Sequence, residues 1–204
     1  MRKFNAIAGL LSLACAAFGA QGDGPRYRVR QVTPLPGGDE FSRVKDLNNA
    51  GQVCGQDNVL ANDYDPFRWD SRTDEIINLT DLPGCVEHGS TLAFAINDLG
   101  DVTGYGFTDV PGELCAARAW LWTPETGMQV LGTLPGGETS AGYGINNRNQ
   151  IAGLAFGPTY AQAMLWDPDA GMVGLGDMGG EPPTSSIAEG INDVLVGKPV
   201  KHEA

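Results

Sequence analysis

Apolar and polar positions alternate over short stretches of this chain, and the same alternation returns at a nearly fixed interval. In Phe67-Arg68-Trp69-Asp70, Trp120-Leu121-Trp122-Thr123 and Met164-Leu165-Trp166-Asp167 the large side chains recur at period two. That period predicts strands, each with its pair of bulky residues on one face. The opposite face carries Arg68, Leu121 and Leu165, two of them apolar, so this strand is expected to be covered on both sides. A second recurring string is built around an Asn: Asp46-Leu47-Asn48-Asn49-Ala50-Gly51-Gln52-Val53, Ala95-Ile96-Asn97-Asp98-Leu99-Gly100-Asp101-Val102 and Gly144-Ile145-Asn146-Asn147-Arg148-Asn149-Gln150-Ile151. A shorter copy, Gly190-Ile191-Asn192-Asp193, follows. The aligned Asn48, Asn97, Asn146 and Asn192 are spaced by 49, 49 and 46 residues, which marks internal repeats.

Within the Asn string, Gly51, Gly100 and Asn149 occupy one place. Gly, and less readily Asn, tolerates positive φ, so the pattern predicts a hairpin made of a type I turn followed by a left-handed residue. The aligned Asn is expected to hydrogen-bond the amides of that turn. Positions two and four residues upstream are mostly small (Ala95 and Ala93, Gly144 and Gly142, Gly190 and Ala188), which lets strands crowd together as near the axis of a radial assembly. A second hairpin is predicted at Pro124-Glu125-Thr126-Gly127 and Pro168-Asp169-Ala170-Gly171, with Ser71-Arg72-Thr73-Asp74 as its variant. A last strand follows at Leu79-Thr80-Asp81-Leu82-Pro83-Gly84, Leu131-Gly132-Thr133-Leu134-Pro135-Gly136 and Leu175-Gly176-Asp177-Met178-Gly179-Gly180. Val32-Thr33-Pro34-Leu35-Pro36-Gly37 is a leading copy of it.

Four short strands in a unit of about 50 residues is the kelch-like spacing of a β-propeller blade, whose sheet is stable only against its neighbours. The expected fold is all-β, a β-propeller-like array of four-stranded antiparallel blades with three complete blades and a partial fourth. The units span about 39–84, 85–136 and 137–180, with a partial unit at 181–204 and an extra leading strand near 27–38. Strands from the two ends either share the fourth blade or leave an open arc of a longer propeller; the last copy is shortened and reads as truncated. An open blade edge invites self-association.

Composition agrees with this reading. Gly 29 and Pro 13 in 204 residues disfavour long helices. The net charge of −12 repels nucleic acid and anionic lipid, so neither is expected as a partner. Arg2 and Lys3 precede an apolar stretch from Ala6 to Ala20, which reads as a secretory signal peptide over residues 1–20, cleaved after Gly19 or Ala20. Lipid attachment at Cys15 is the weaker alternative. The remainder, 21–204, is expected to be a single acidic repeat domain outside the cell or in a periplasm, with no membrane insertion after signal removal. In an oxidising compartment Cys85 and Cys115, both in Gly/Pro-flanked stretches, are the candidate structural disulfide. Cys54 lies in a strand pattern and reads as a small buried hydrophobe.

The Ile-Asn-(Asp/Asn)-x-Gly-x-(Val/Ile), Leu-Trp-(Asp/Thr)-Pro-x-x-Gly-Met and Leu-Gly-Thr-Leu-Pro-Gly-Gly strings together resemble the HAF family of probable extracellular bacterial repeats, across essentially the whole chain after residue 20. The resemblance implies a propeller-like fold and export. The His-Ala-Phe string behind the family's name is replaced here by Asp65-Pro66-Phe67, Arg118-Ala119-Trp120 and Gln162-Ala163-Met164. The resemblance supplies no catalytic residues.

Candidate chemistry is sparse. The chain has two histidines, His88 and His202. Cys85, His88 and Cys115 superficially offer zinc ligands, but a disulfide with a surface histidine fits an exported chain better. Asp46, Asn48, Asn97, Asp98 and Asp101 suggest calcium, yet the third copy places Arg148 in the same loop and no bidentate Glu ends it, so turn capping is expected. Trp69, Trp120, Trp122 and Trp166 are expected to pack the core between blades rather than stack on sugars. Asn78-Leu79-Thr80 is a glycosylation sequon within a strand. No catalytic, cofactor or metal residues are assigned. The reading is a noncatalytic binding or scaffold module for an extracellular protein or glycan. A glycan-acting hydrolase or lyase using loop carboxylates, or a remnant of a longer propeller, is the alternative.

Overall fold

The computed structural model describes residues 29–32, 34–37, 42–60, 63–79, 90–108, 115–176 and 184–194. The chain divides into Met1–Arg30 and Gln31–Ala204, and every strand lies in the second unit. The described residues are all-β, without a helix. Among the described residues, twelve strands form three sheets of four, each an antiparallel meander in which consecutive strands are neighbours. Sheet 1 comprises β1 (Ser42–Leu47), β2 (Gln52–Leu60), β3 (Asp63–Asp70) and β4 (Glu75–Asn78). Sheet 2 comprises β5 (Thr91–Ile96), β6 (Val102–Thr108), β7 (Ala116–Thr123) and β8 (Gly127–Val130). Sheet 3 comprises β9 (Ser140–Ile145), β10 (Ile151–Phe156), β11 (Ala161–Asp167) and β12 (Gly171–Gly174).

The same local chemistry shapes each sheet. The turn between its first two strands closes with Gly51 donating to the Asn48 carbonyl, Gly100 to that of Asn97 and Asn149 to that of Asn146, at 3.0–3.2 Å. The donating residues have φ of +80°, +87° and +59°. A Cβ in that conformation crowds the following carbonyl, which is why Gly or Asn stands there. Each first strand then carries a bulge at one place: the register against the second strand jumps between Val44 and Asp46, between Ala93 and Ala95, and between Gly142 and Gly144. The extra residues are Lys45, Phe94 and Tyr143. Opposite the bulges sit Gly55, Gly104 and Gly153, where a Cβ would run into the carbonyl oxygens of Arg43, Leu92 and Ala141 and into the buried ends of Phe67, Trp120 and Met164.

The core lies between sheets. Phe67 and Trp69, Trp120 and Trp122, and Met164 and Trp166 are all buried on the faces their period predicts. Trp120 and Trp122 pack with Cys54, Ile77 and Leu79 of the preceding sheet region. Met164 and Trp166 pack with Leu121, Leu131 and Leu134 in the same way. Phe67 and Trp69 are covered by Val32 and Leu35 of the leading segment. Fully burying one such large side chain contributes roughly 1.5–3 kcal/mol. The buried Asp57 fixes the leading segment by accepting from the Leu35 N–H at 2.6 Å and the Ser42 hydroxyl at 3.1 Å. Arg68 reaches into the next sheet, its guanidinium 5.1 Å from the Trp122 ring and in hydrogen-bond contact with the Gly100 carbonyl at 3.4 Å.

Serines tie sheets 2 and 3 to the segments that follow them. Ser140 Oγ accepts from the Ala119 N–H and donates to the Gly132 carbonyl, and Ser186 Oγ does the same with Ala163 and Gly176. In sheet 1 the residue aligned with Ala119 and Ala163 is Pro66, which has no N–H. The amide it lacks would have served a side chain rather than the strand ladder, and Ser90 Oγ accepts from the Tyr64 N–H instead.

Candidate functional site

Two concave surfaces lie at opposite ends of the strands. At the turn end, the aligned asparagines face one another across the sheets. Each first serves its own turn: Asn97 Oδ1 accepts from the N–H groups of Leu99 and Asp101, and Asn146 Oδ1 from those of Arg148 and Gln150. Each then reaches forward. Asn48 Nδ2 donates to the Asn97 carbonyl at 2.8 Å, Asn97 Nδ2 to the Asn146 carbonyl at 3.1 Å, and Asn146 Nδ2 to the Asn192 carbonyl at 3.1 Å. The next residue forms a parallel rail. Asn49 donates its N–H and Nδ2 to the Asp98 carboxylate, the Asp98 N–H donates to Asn147 Oδ1, and Asn147 donates its N–H and Nδ2 to the Asp193 carboxylate, all at 2.7–3.0 Å. These corners border a polar pocket of about 240 Å³.

The carboxylates of this end are engaged by structural donors. The Asn49 side chain and amide hold Asp98 below the usual carboxylate range. The Arg72 side chain and amide, with Gln52, hold Asp70 well below it. Gln150 and the Asp169 and Ala170 amides lower Asp167. Asp101 goes the other way, because burial outweighs the hydrogen bond it accepts from Asn97 Nδ2. Among the described residues no group of three or more His, Cys, Asp or Glu side chains is placed to hold a metal ion.

At the other end, between sheets 2 and 3, the bulges create an aromatic cleft. Phe94 meets Tyr143 edge to face at a centroid distance of 5.3 Å and stacks on Tyr105 at 5.7 Å, and Tyr105 meets Phe107 at 6.3 Å. Lys45 Nζ lies 4.8 Å from the Phe94 ring, so the three bulge residues form one row across the three sheets. Tyr105, Phe107, Tyr143 and Phe156 line a hollow of about 250 Å³. It adjoins a second of about 440 Å³ that includes Glu138, Gly157 and Pro158, and Thr139 and Phe156 border both. Phe156 is 46% exposed. Burial, with Tyr105 and Glu189 nearby, pushes the Tyr143 phenol up, which keeps it a hydrogen-bond donor.

The residues singled out from sequence fall as follows. Asn48, Asn97 and Asn146 with Gly51, Gly100 and Asn149 make the turn end; Trp122 and Trp166 are buried between sheets, and Trp69 is buried between sheet 1 and the leading segment. Cys54 is buried and free. Cys115 is disulfide-bonded. Cys85, its expected partner, lies outside the described residues, as do His88, His202 and residues 1–20. Asn78 is exposed at the end of β4, with Nδ2 on Asp65 Oδ2 at 2.7 Å. Among the described residues no helix is long and apolar enough to cross a membrane. The cleft residues Phe94, Tyr105, Tyr143 and Phe156 were not singled out. Their signal was the large residue between two small ones, as in Ala93-Phe94-Ala95 and Gly142-Tyr143-Gly144. Comparison with protein families and with curated proteins gives no match to this chain.

Proposed function

We propose that the chain is an exported, noncatalytic binding module, a propeller-like repeat protein of the HAF type, and that its aromatic cleft takes a saccharide. The carrying observation is the cleft itself: an exposed Phe156 shared by two hollows that Tyr143, Thr139 and Glu138 also line. A pyranose presents C–H groups on its faces and hydroxyls at its rim, and aromatic faces flanked by polar groups match both. The two adjoining hollows suit an extended oligosaccharide better than a single ring. The noncatalytic reading draws support from the carboxylates of the turn end, whose oxygens accept structural hydrogen bonds. Export follows from Arg2, Lys3 and the apolar stretch after them.

Isothermal titration of the purified chain against neutral and acidic oligosaccharides tests the reading. Saturable binding is expected, weakened about tenfold, or roughly 1.4 kcal/mol, by Phe156→Ala. Absence of binding across the panel overturns the saccharide. Release of shortened products, abolished by a single Asp or Glu substitution, overturns the noncatalytic assignment.

A further inference from the structure

The aromatic cleft is one-sided in charge. Neither of its hollows is lined by a Lys, Arg or His. Glu138 lines the larger hollow and is exposed. Among the described residues nothing donates a hydrogen bond to its carboxylate and no cation pairs with it. The turn-end carboxylates of Asp70, Asp98, Asp167 and Asp193, by contrast, accept structural hydrogen bonds. A second exposed carboxylate, Glu189, stands close enough to Tyr143 of the smaller hollow to push its phenol up. The guanidinium nearest these groups belongs to Arg118, which is 4% exposed and donates to the Ala117 and Glu138 carbonyls.

The rings favour the same sign of ligand. The face of an aromatic ring is the negative end of its quadrupole and attracts an ammonium within about 6 Å. Lys45 Nζ, 4.8 Å from the Phe94 ring, shows the row of bulge residues holding a cation in this way. Among the described residues the other such contact is Arg68 on Trp122, so the Tyr105, Tyr143 and Phe156 rings of the cleft carry none. At longer range, the chain's net charge of −12 draws cations in and repels acidic saccharides.

Resting on the saccharide reading of this cleft, we propose that its ligand is an amino sugar polymer, an oligosaccharide whose residues carry free ammonium groups. The sugar faces lie against the aromatic rings, while the ammonium groups meet Glu138 and Glu189 and the negative faces of the rings. An N-acetylated chain of the same length keeps the sugar faces and loses the charge. A uronic acid chain brings carboxylates to a site whose uncommitted charged groups are carboxylates.

Isothermal titration of the purified chain with tetramers of glucosamine, of N-acetylglucosamine and of a uronic acid tests this. The glucosamine tetramer is expected to bind at least about tenfold more tightly than the N-acetylated one, from an ion pair and cation–π contacts together, with the uronic acid tetramer weakest. Added salt is expected to narrow the ratio. Glu138→Gln, at an exposed position, is expected to bring it below about threefold. Glu125→Gln removes the same charge from an exposed site at the turn end beside Asp101 and is expected to leave the ratio as it is. An N-acetylated tetramer that binds as tightly as the amine overturns the proposal and leaves the saccharide reading standing. A ratio that falls equally in Glu125→Gln and Glu138→Gln also overturns it, since overall charge then suffices. Absence of binding by all three tetramers overturns the saccharide reading and the proposal with it.

Discussion

The side-chain amide of Asn97 donates to the backbone carbonyl of Asn146, forty-nine residues further on, at 3.1 Å. One residue thereby closes its own turn and joins two sheets. Its Oδ1 holds the Leu99 and Asp101 amides while its Nδ2 serves Asp101, Asn146 and Asn149. Because Asn97 is buried, removing it leaves several polar groups without partners or water.

Asn97→Ala is therefore expected to lower the unfolding free energy by about 3 kcal/mol, since each orphaned buried group costs roughly 1–3 kcal/mol. Asn192→Ala, at the exposed corner, is expected to change the stability of the chain by less than about 0.5 kcal/mol. Urea denaturation of both variants checks the contrast. Equal losses would show that the ladder contributes nothing beyond the single turn.

Gly104→Ala is expected to be worse than its size suggests. The added methyl would strike the Leu92 carbonyl and come within 2.8 Å of Trp120, which is itself fully buried and has nowhere to move. Overpacking of this kind costs about 1–3 kcal/mol or more. At Gly132 nothing lies within 4 Å, and Ala there meets only the strain of φ +78°, about 1–2 kcal/mol. Thermal midpoints of the two variants decide whether close approach or backbone conformation dominates.

The all-β class and the four-stranded unit were legible because their determinants are local. Period-two pairs such as Phe67 and Trp69 and the Gly/Asn substitution at 51, 100 and 149 need no knowledge of distant residues. The cleft was not legible. A bulge adds one residue to one strand, which rotates Phe94 and Tyr143 out of the simple alternation and toward another sheet. Gly55, Gly104 and Gly153 recur at the same interval in the sequence, but their meaning depends on the carbonyl each one meets across the bulge. Similarly, Asn48 announces a turn, whereas its reach to Asn97 depends on how sheets are stacked.

Acid should weaken the fold with a defined sign. Asp70, Asp98 and Asp167 are lowered from an ordinary value of 3.8 by the donors around them, so their contribution is complete above that pH and is lost as pH falls through their folded values. Asp101 is raised by burial, so its contribution is complete below the ordinary value and is lost as pH rises through its folded value. Stability measured by urea from pH 2 to 7 is expected to fall at the acid end. In Asp101→Asn the decline attributable to that group on raising the pH should disappear. An unchanged profile in this variant would remove Asp101 from the account.

Cys54 should be chemically silent in the folded chain. It sits on β2 among Ala93, Trp120 and Leu79 at the joint between sheets 1 and 2, and burial, reinforced by the Asp46 charge, pushes its thiol far above the ordinary range. The thiolate is the reactive form, so neither alkylation nor disulfide exchange has a nucleophile to work with until the joint opens. A maleimide is expected to label Cys54 only at the rate of unfolding, with urea accelerating labelling in step with loss of the native signal. Cys54→Ala leaves a small cavity, of order 1 kcal/mol, while Cys54→Ser buries a hydroxyl at a cost of roughly 1–3 kcal/mol. The serine variant should therefore be the less stable of the two. Rapid labelling under native conditions would mean that sheets 1 and 2 separate readily.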